Sequence, residues 1–189
     1  MTARWVVDEV APHRDLNITW QPISLLFKNQ PPEDSDYFGP VNFTHKLLRV
    51  GEAVRKAGTN QDWFDLYWEF GRRLHHDQDR DFTAAEALEA AGLDASLADA
   101  FDDDSWDAEI RTRMDAGLAL TGDDVGTPII AFNNDDNEKV ALFGPVITRV
   151  PTSEQSLKLW DGFVACATVP GFWELKRTRT ERPEFGQRP

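Results

Sequence analysis

Cysteine is nearly absent from this chain of 189 residues, Cys166 being the only one. A single thiol closes no internal disulfide and builds no cysteine-rich metal site, which makes a reducing compartment the default reading. Cations are also scarce: 20 Lys and Arg stand against 33 Asp and Glu, a net charge of −13. Such a surface repels phosphate backbones, so no nucleic-acid partner is expected unless a local patch reverses the sign. The one basic cluster is the tail, where Glu181 and Glu184 interrupt Lys176, Arg177, Arg179, Arg182 and Arg188. Long apolar runs are missing as well. None approaches the ~20 residues of a membrane span, and Met1 is not followed by a basic and then apolar leader. A cytoplasmic protein without a membrane partner is the resulting expectation. The length of 189 residues suits one large domain or two small ones, and a chain of this size buries roughly two-thirds of its unfolded surface.

The pattern begins almost at the first residue. Ala3, Trp5, Val6 and Val10 fall at helical spacing, with only Thr2 as an N-cap and Pro12 as the stop. Ile18 and Trp20 then alternate with polar neighbours, which predicts a short strand over 17–22. A polar, proline-bearing loop follows from Asn29 to Gly39. Helical periodicity takes over in a segment holding Phe43, Leu47, Leu48 and Val54 and closing at Gly58. A second helix carries Trp63, Leu66 and Phe70 and ends in Arg72, Arg73 and His75, cations suited to a helix C-terminus. Short helices follow over 83–91, opened by a Thr83–Glu86 capping box, and over 95–101. Ser105 is expected to cap a longer one through Ile110, Met114 and Leu118.

Beyond it the period becomes two. Residues 128–132 and 140–143 flank the polar run Asn133 to Asn137, an antiparallel hairpin. Ser153 is expected to open a last helix ending before Pro170. One strand and one hairpin are too few to cover so many amphipathic helices unless another strand joins them.

Few side chains point to chemistry by themselves. Cys166 shares a helix face with Leu159 and Phe163 and reads as a structural cysteine rather than a nucleophile. His75 and His76 point about 100° apart on a helix and converge poorly on a metal. The hairpin tip lacks the glycine and the glutamate of a calcium loop. No metal ligand and no catalytic residue is therefore assigned. Pro128 opens a strand, where no ladder donor is needed. It reads either as an ordinary strand-initiating proline or, with Thr127, as part of a binding groove. Asn29 reads as a turn residue capping the strand exit.

The runs Asp124-Val-Gly-Thr-Pro-Ile-Ile130, Leu142-Phe-Gly-Pro-Val146, Lys158-Leu-Trp-Asp161 and Trp173-Glu-Leu-Lys-Arg-Thr-Arg-Thr-Glu181 closely resemble the DsbA-like family of mycothiol-dependent nitroreductases. The resemblance extends from Met1 to about Phe185 and is looser in the helical block. It implies an α/β, thioredoxin-like fold of DsbA type with a large helical insertion, divided as 1–42, 43–122 and 123–189. It also implies that Thr127, Pro128 and Asn29 bind substrate. By the same resemblance no bound cofactor is expected, mycothiol or a similar low-molecular-weight thiol is the expected cosubstrate, and a disulfide or nitro-aromatic compound is the expected partner molecule.

That family carries a strand and then Cys-Pro-Trp-Cys-Trp at the start of its first helix, and the residues after that motif resemble Thr2-Ala-Arg-Trp5 here. The resemblance thus implies that the first strand and the reactive dithiol are absent from residues 1–189. An internal methionine taken as the start is the simplest account. The chain by itself is then expected to be inactive in dithiol chemistry. Two other readings stay open: a redox-inactive thioredoxin-like binding module, and a serine-type isomerase or transferase on the same fold.

Overall fold

A helix over residues 2–14, here α1, opens the chain in a computed structural model that describes all 189 residues. Its middle, Trp5–Val10, is π-helical, and Pro12 does not end it as expected; the helix runs on to Arg14. In an α-helix the ring of Pro12 would meet the carbonyl four residues back. Here the preceding turn is wide, with the Ala11 N–H reaching back to Val6 O, and the ring is accommodated. Asp15, at a φ of 47°, then turns the chain out of the helix.

The chain divides into two units, Met1–Ile18 with Gly117–Gly186, and Thr19–Ala116 with Gln187–Pro189. One division falls inside a helix.

In the first unit, Ile129–Asn133 (β1) and Lys139–Phe143 (β2) form an antiparallel pair, Ile130 opposite Leu142 and Phe132 opposite Val140. This hairpin is the whole sheet. A helix over Ser153–Ala167, numbered α7 in chain order, packs its Trp160 against Trp5 of α1 at a ring separation of 6.0 Å. Trp5 and Val10 are fully buried, and Leu16, Ile18 and Ile130 pack against the same cluster. Burial of an aliphatic side chain such as Val10 contributes roughly 1.5–3 kcal/mol. Thr152, not Ser153, precedes the first turn of α7, and its side chain makes no capping bond.

The second unit is helical. After Leu25–Asn29 (α2) come Phe38–Ala57 (α3), a helix over residues 60–77 whose last turns are π-helical (α4), and Ala84–Ala90 (α5). Two 3-10 stretches, Ala95–Asp102 and Asp104–Trp106, lead into Asp107–Thr121 (α6). Val50, Leu66, Ala87 and Leu88 are fully enclosed in its core. Gly58 closes α3 and the Thr83–Glu86 capping box opens α5, both as expected. Ser105 does not cap α6. It sits inside a 3-10 turn, where its N–H donates to the Asp103 carboxylate.

The strand expected over 17–22 does not form. A strand exists by its ladder, and the backbone of Trp20 is satisfied otherwise: its N–H donates to Asn60 Oδ1 at 3.3 Å, and its carbonyl accepts from Arg55 at 2.7 Å. The Trp20 ring stacks on Phe64 at 5.0 Å. Side chains from α3 and α4 thus take the place of a neighbouring strand.

Candidate functional site

Thr127 and Pro128 lie at the entrance to β1, in the first unit. The Pro128 carbonyl accepts from Gly144 N–H at 2.8 Å, one step beyond the paired residues, so the two ends of the hairpin are locked side by side. The Thr127–Pro128 and Gly144–Pro145 peptide bonds are both cis. Thr127 is exposed and Pro128 half-buried. From the other side, the Thr2 hydroxyl donates to the Pro145 carbonyl at 2.8 Å. The first turn of α1 therefore sits at the same end of the hairpin as Thr127. A helix N-terminus carries unpaired N–H groups and partial positive charge, which favours an anion such as a thiolate.

Asn29 belongs to the second unit, as the last residue of α2, and donates to the Tyr37 hydroxyl at 3.1 Å. The anchor of its helix is a buried polar network that spacing along the chain did not reveal. Ser24 caps α2 by accepting from Phe27 N–H at 3.1 Å. Its hydroxyl lies 2.9 Å from His45 Nδ1, and His45 Nε2 lies 3.0 Å from Asp107 Oδ1. Arg49 holds the same carboxylate through two nitrogens, at 2.6 and 2.9 Å. The Phe27 ring meets the tilted His45 ring at 4.4 Å and the Arg111 guanidinium at 4.1 Å.

The hydrogen-bond inventory settles the tautomer. The Asp107 carboxylate only accepts, so Nε2 carries the proton and Nδ1 accepts from the Ser24 hydroxyl, which in turn accepts from Phe27 N–H. Burial pushes the His45 pKa down, and the nearby Arg49 and Arg111 charges act in the same direction against the pull of Asp107. Burial raises the Asp107 pKa, but hydrogen bonds and charges from Arg49 and His45 outweigh it and hold the carboxyl below its usual range. The result is a neutral imidazole on an ionised carboxylate. Ser24 and His45 are fully enclosed, so the Ser-His-Asp order presents no nucleophile to a substrate and acts as a brace.

Cys166 is a free, half-buried thiol on α7. His75 and His76 lie in the π-helical end of α4. A lone cap signal, Ser24 ahead of Leu-Leu-Phe, was the one trace of the brace in the sequence.

The class of protein that these features define is a helix-rich chain with a small two-stranded sheet, whose hairpin opens on Thr127-Pro128 beside a helix N-terminus. Residues 1–177 match the model of the Rv2466c-like family, described as mycothiol-dependent nitroreductase Rv2466c, and the chain belongs to that family. The family's name is that of an oxidoreductase using a small thiol. No helix is long and apolar enough to cross a membrane.

Proposed function

We propose that this chain supplies the substrate-binding framework of a cytoplasmic, DsbA-type oxidoreductase that uses mycothiol, or a similar thiol, to reduce disulfides or nitro-aromatic compounds. Membership of the nitroreductase family supports the reaction class. The single observation that carries the location is the exposed Thr127 at the head of β1, beside the first turn of α1. In this reading the fold is thioredoxin-like, and Thr127 and Pro128 shape the thiol groove. Two thiols are oxidised to a disulfide while the substrate takes up two electrons and two protons. Residues 1–189 hold one thiol, Cys166, so in this reading the dithiol Cys-Pro-Trp-Cys that the family resemblance implies has to be supplied to this framework.

The single cysteine favours a second reading, a binding module without redox chemistry. Nitro-aromatic reduction by mycothiol separates the two when measured for residues 1–189 and for the same chain carrying an N-terminal strand and Cys-Pro-Trp-Cys motif. Activity confined to the extended chain, with Thr127→Ala lowering kcat/KM about tenfold (~1.4 kcal/mol), is the expected result. Inactivity of both forms supports the binding module. Activity of residues 1–189 alone overturns the assignment of the dithiol.

A further inference from the structure

A cleft of about 440 Å³ opens in the first unit where three stretches of chain meet: α1 at Arg4, Asp8 and Glu9, the segment from Arg149 to Pro151, and the tail from Glu184 to Gly186. Hydrogen bonds tie these walls together. Glu184 N–H donates to Thr148 O at 2.7 Å, Arg4 Nη1 to Phe185 O at 2.8 Å, and the Ser153 hydroxyl to Glu9 at 2.6 Å. The volume lies in the range that holds a small molecule.

The lining is charged, yet both signs are present and largely paired. Arg4 meets Asp8 at 3.2 Å, and Arg149 meets Glu181. An anion entering the cleft faces the carboxylates of Asp8, Glu9 and Glu184, and a cation faces the two guanidinium groups, so neither sign is favoured. Hydrogen-bonding capacity is nonetheless left over. Arg4 engages one oxygen of Asp8 and Ser153 one oxygen of Glu9, while no donor of the chain reaches the Glu184 carboxylate. Arg149 meets Glu181 through Nη2 alone of its donor fork. A carboxylate only accepts and a guanidinium only donates, and a hydroxyl serves both. Val150 and Phe185, each half-buried, add an apolar wall for the C–H face of a saturated ring.

We propose that this cleft binds an uncharged polyol and holds the headgroup of mycothiol while the thiol end reaches Thr127; the link to mycothiol rests on the function proposed above. Mycothiol carries its cysteine on an amino sugar joined to inositol, a headgroup of hydroxyls and saturated rings without formal charge. Helix α1 connects the two places. Thr2 ties its first turn to the hairpin end at Pro145, and Arg4 and, one turn on, Asp8 face the cleft. At 1.5 Å per residue the step from Thr2 to Asp8 is about 9 Å, the scale of a two-ring molecule. A thiol without hydroxyl-bearing rings leaves the spare oxygens and nitrogens of the cleft to water, which makes this face of α1 a specificity wall.

NMR titration of residues 1–189 with N-acetylglucosaminyl-inositol, the headgroup without its cysteine, tests this. Saturable binding with a Kd on the order of 1 mM is expected, with shifts of the Asp8, Val150 and Phe185 amides. Asp8→Ala with Glu184→Ala weakens it at least about tenfold, whereas Asp136→Ala at the hairpin tip leaves it unchanged. All three side chains are exposed, and an unchanged circular dichroism spectrum establishes that the variants fold. No saturation below about 20 mM overturns the proposal, as does binding that the double variant leaves intact. Phosphate or putrescine binding there more tightly than the headgroup overturns the assignment to an uncharged ligand. Mycothiol turnover by the extended chain keeps this apart from the proposed function. Turnover without headgroup binding overturns the cleft and leaves the oxidoreductase, and headgroup binding by an inactive extended chain upholds the polyol site and overturns the oxidoreductase.

Discussion

The Ser24 hydroxyl and His45 Nδ1 lie 2.9 Å apart inside the helical unit, across 21 positions of sequence, and join the cap of α2 to the middle of α3. Because His45 also donates to Asp107, a single imidazole ties together the starts of two helices.

Replacing His45 with alanine leaves the Ser24 hydroxyl without its acceptor and opens a space beside Phe27. The loss expected is about 2–4 kcal/mol, read as a fall in the urea midpoint. Glutamine, which can donate or accept at one of the two sites, recovers part of it. A midpoint unchanged in the alanine variant contradicts the brace.

Acid weakens the same network in two stages. His45 is held neutral, its folded pKa lying below the unfolded value. The unfolded chain therefore binds the extra proton first, and stability falls as pH drops below about 6.5. Asp107 is depressed. Its contribution is present above the ordinary carboxylate value and is lost as pH falls through the lower folded one. Stability measured from pH 8 to 3 should show the first stage in the wild type and lose that share of it in His45→Gln.

Gly51 stands on α3 where a Cβ would come within 2.5 Å of the Trp63 ring. Trp63 is 2% exposed and has little room to retreat. Gly51→Ala should destabilise by about 1–3 kcal/mol despite the better helix propensity of alanine. Thermal unfolding beside a Gly117→Ala control decides it, since nothing lies within 4 Å of a Cβ at Gly117.

Glu52 is a buried carboxylate held by Arg113 at 3.0 Å and Arg55 at 3.3 Å. Glu52→Ala takes a buried carboxylate from two half-buried guanidinium groups, leaving Arg55 to the Trp20 carbonyl and Arg113 to Glu109, and should cost about 2–3 kcal/mol. Glu52→Met, which fills the volume, should cost less than that if packing matters as much as charge. The two unfolding curves, compared directly, give the order.

Elements whose signals are local were legible in the sequence. The Thr83–Glu86 capping box, the Gly58 stop and the hairpin around Asn133 to Asn137 each depend on neighbours a few residues away. Elements settled by distant partners were not. Trp20 carried a strand pattern, yet Arg55 and Asn60 took its backbone bonds. Pro12 looked like a stop, yet the π-turn before it made room. For the candidate site, Thr127, Pro128 and Asn29 stood out through family resemblance, and their placement by Gly144, Thr2 and the Ser24 cap did not.

The sequence alone determined the helical and strand character of most segments, the negative charge, and the presence of a single thiol, because these follow from composition and short-range periodicity. Tertiary structure alone decided that Ser24, His45 and Asp107 form one network and that the end of β2 lies beside the first turn of α1. Hydrogen bonds across 21, 62 and 143 positions form only when the chain folds, and no local pattern encodes them.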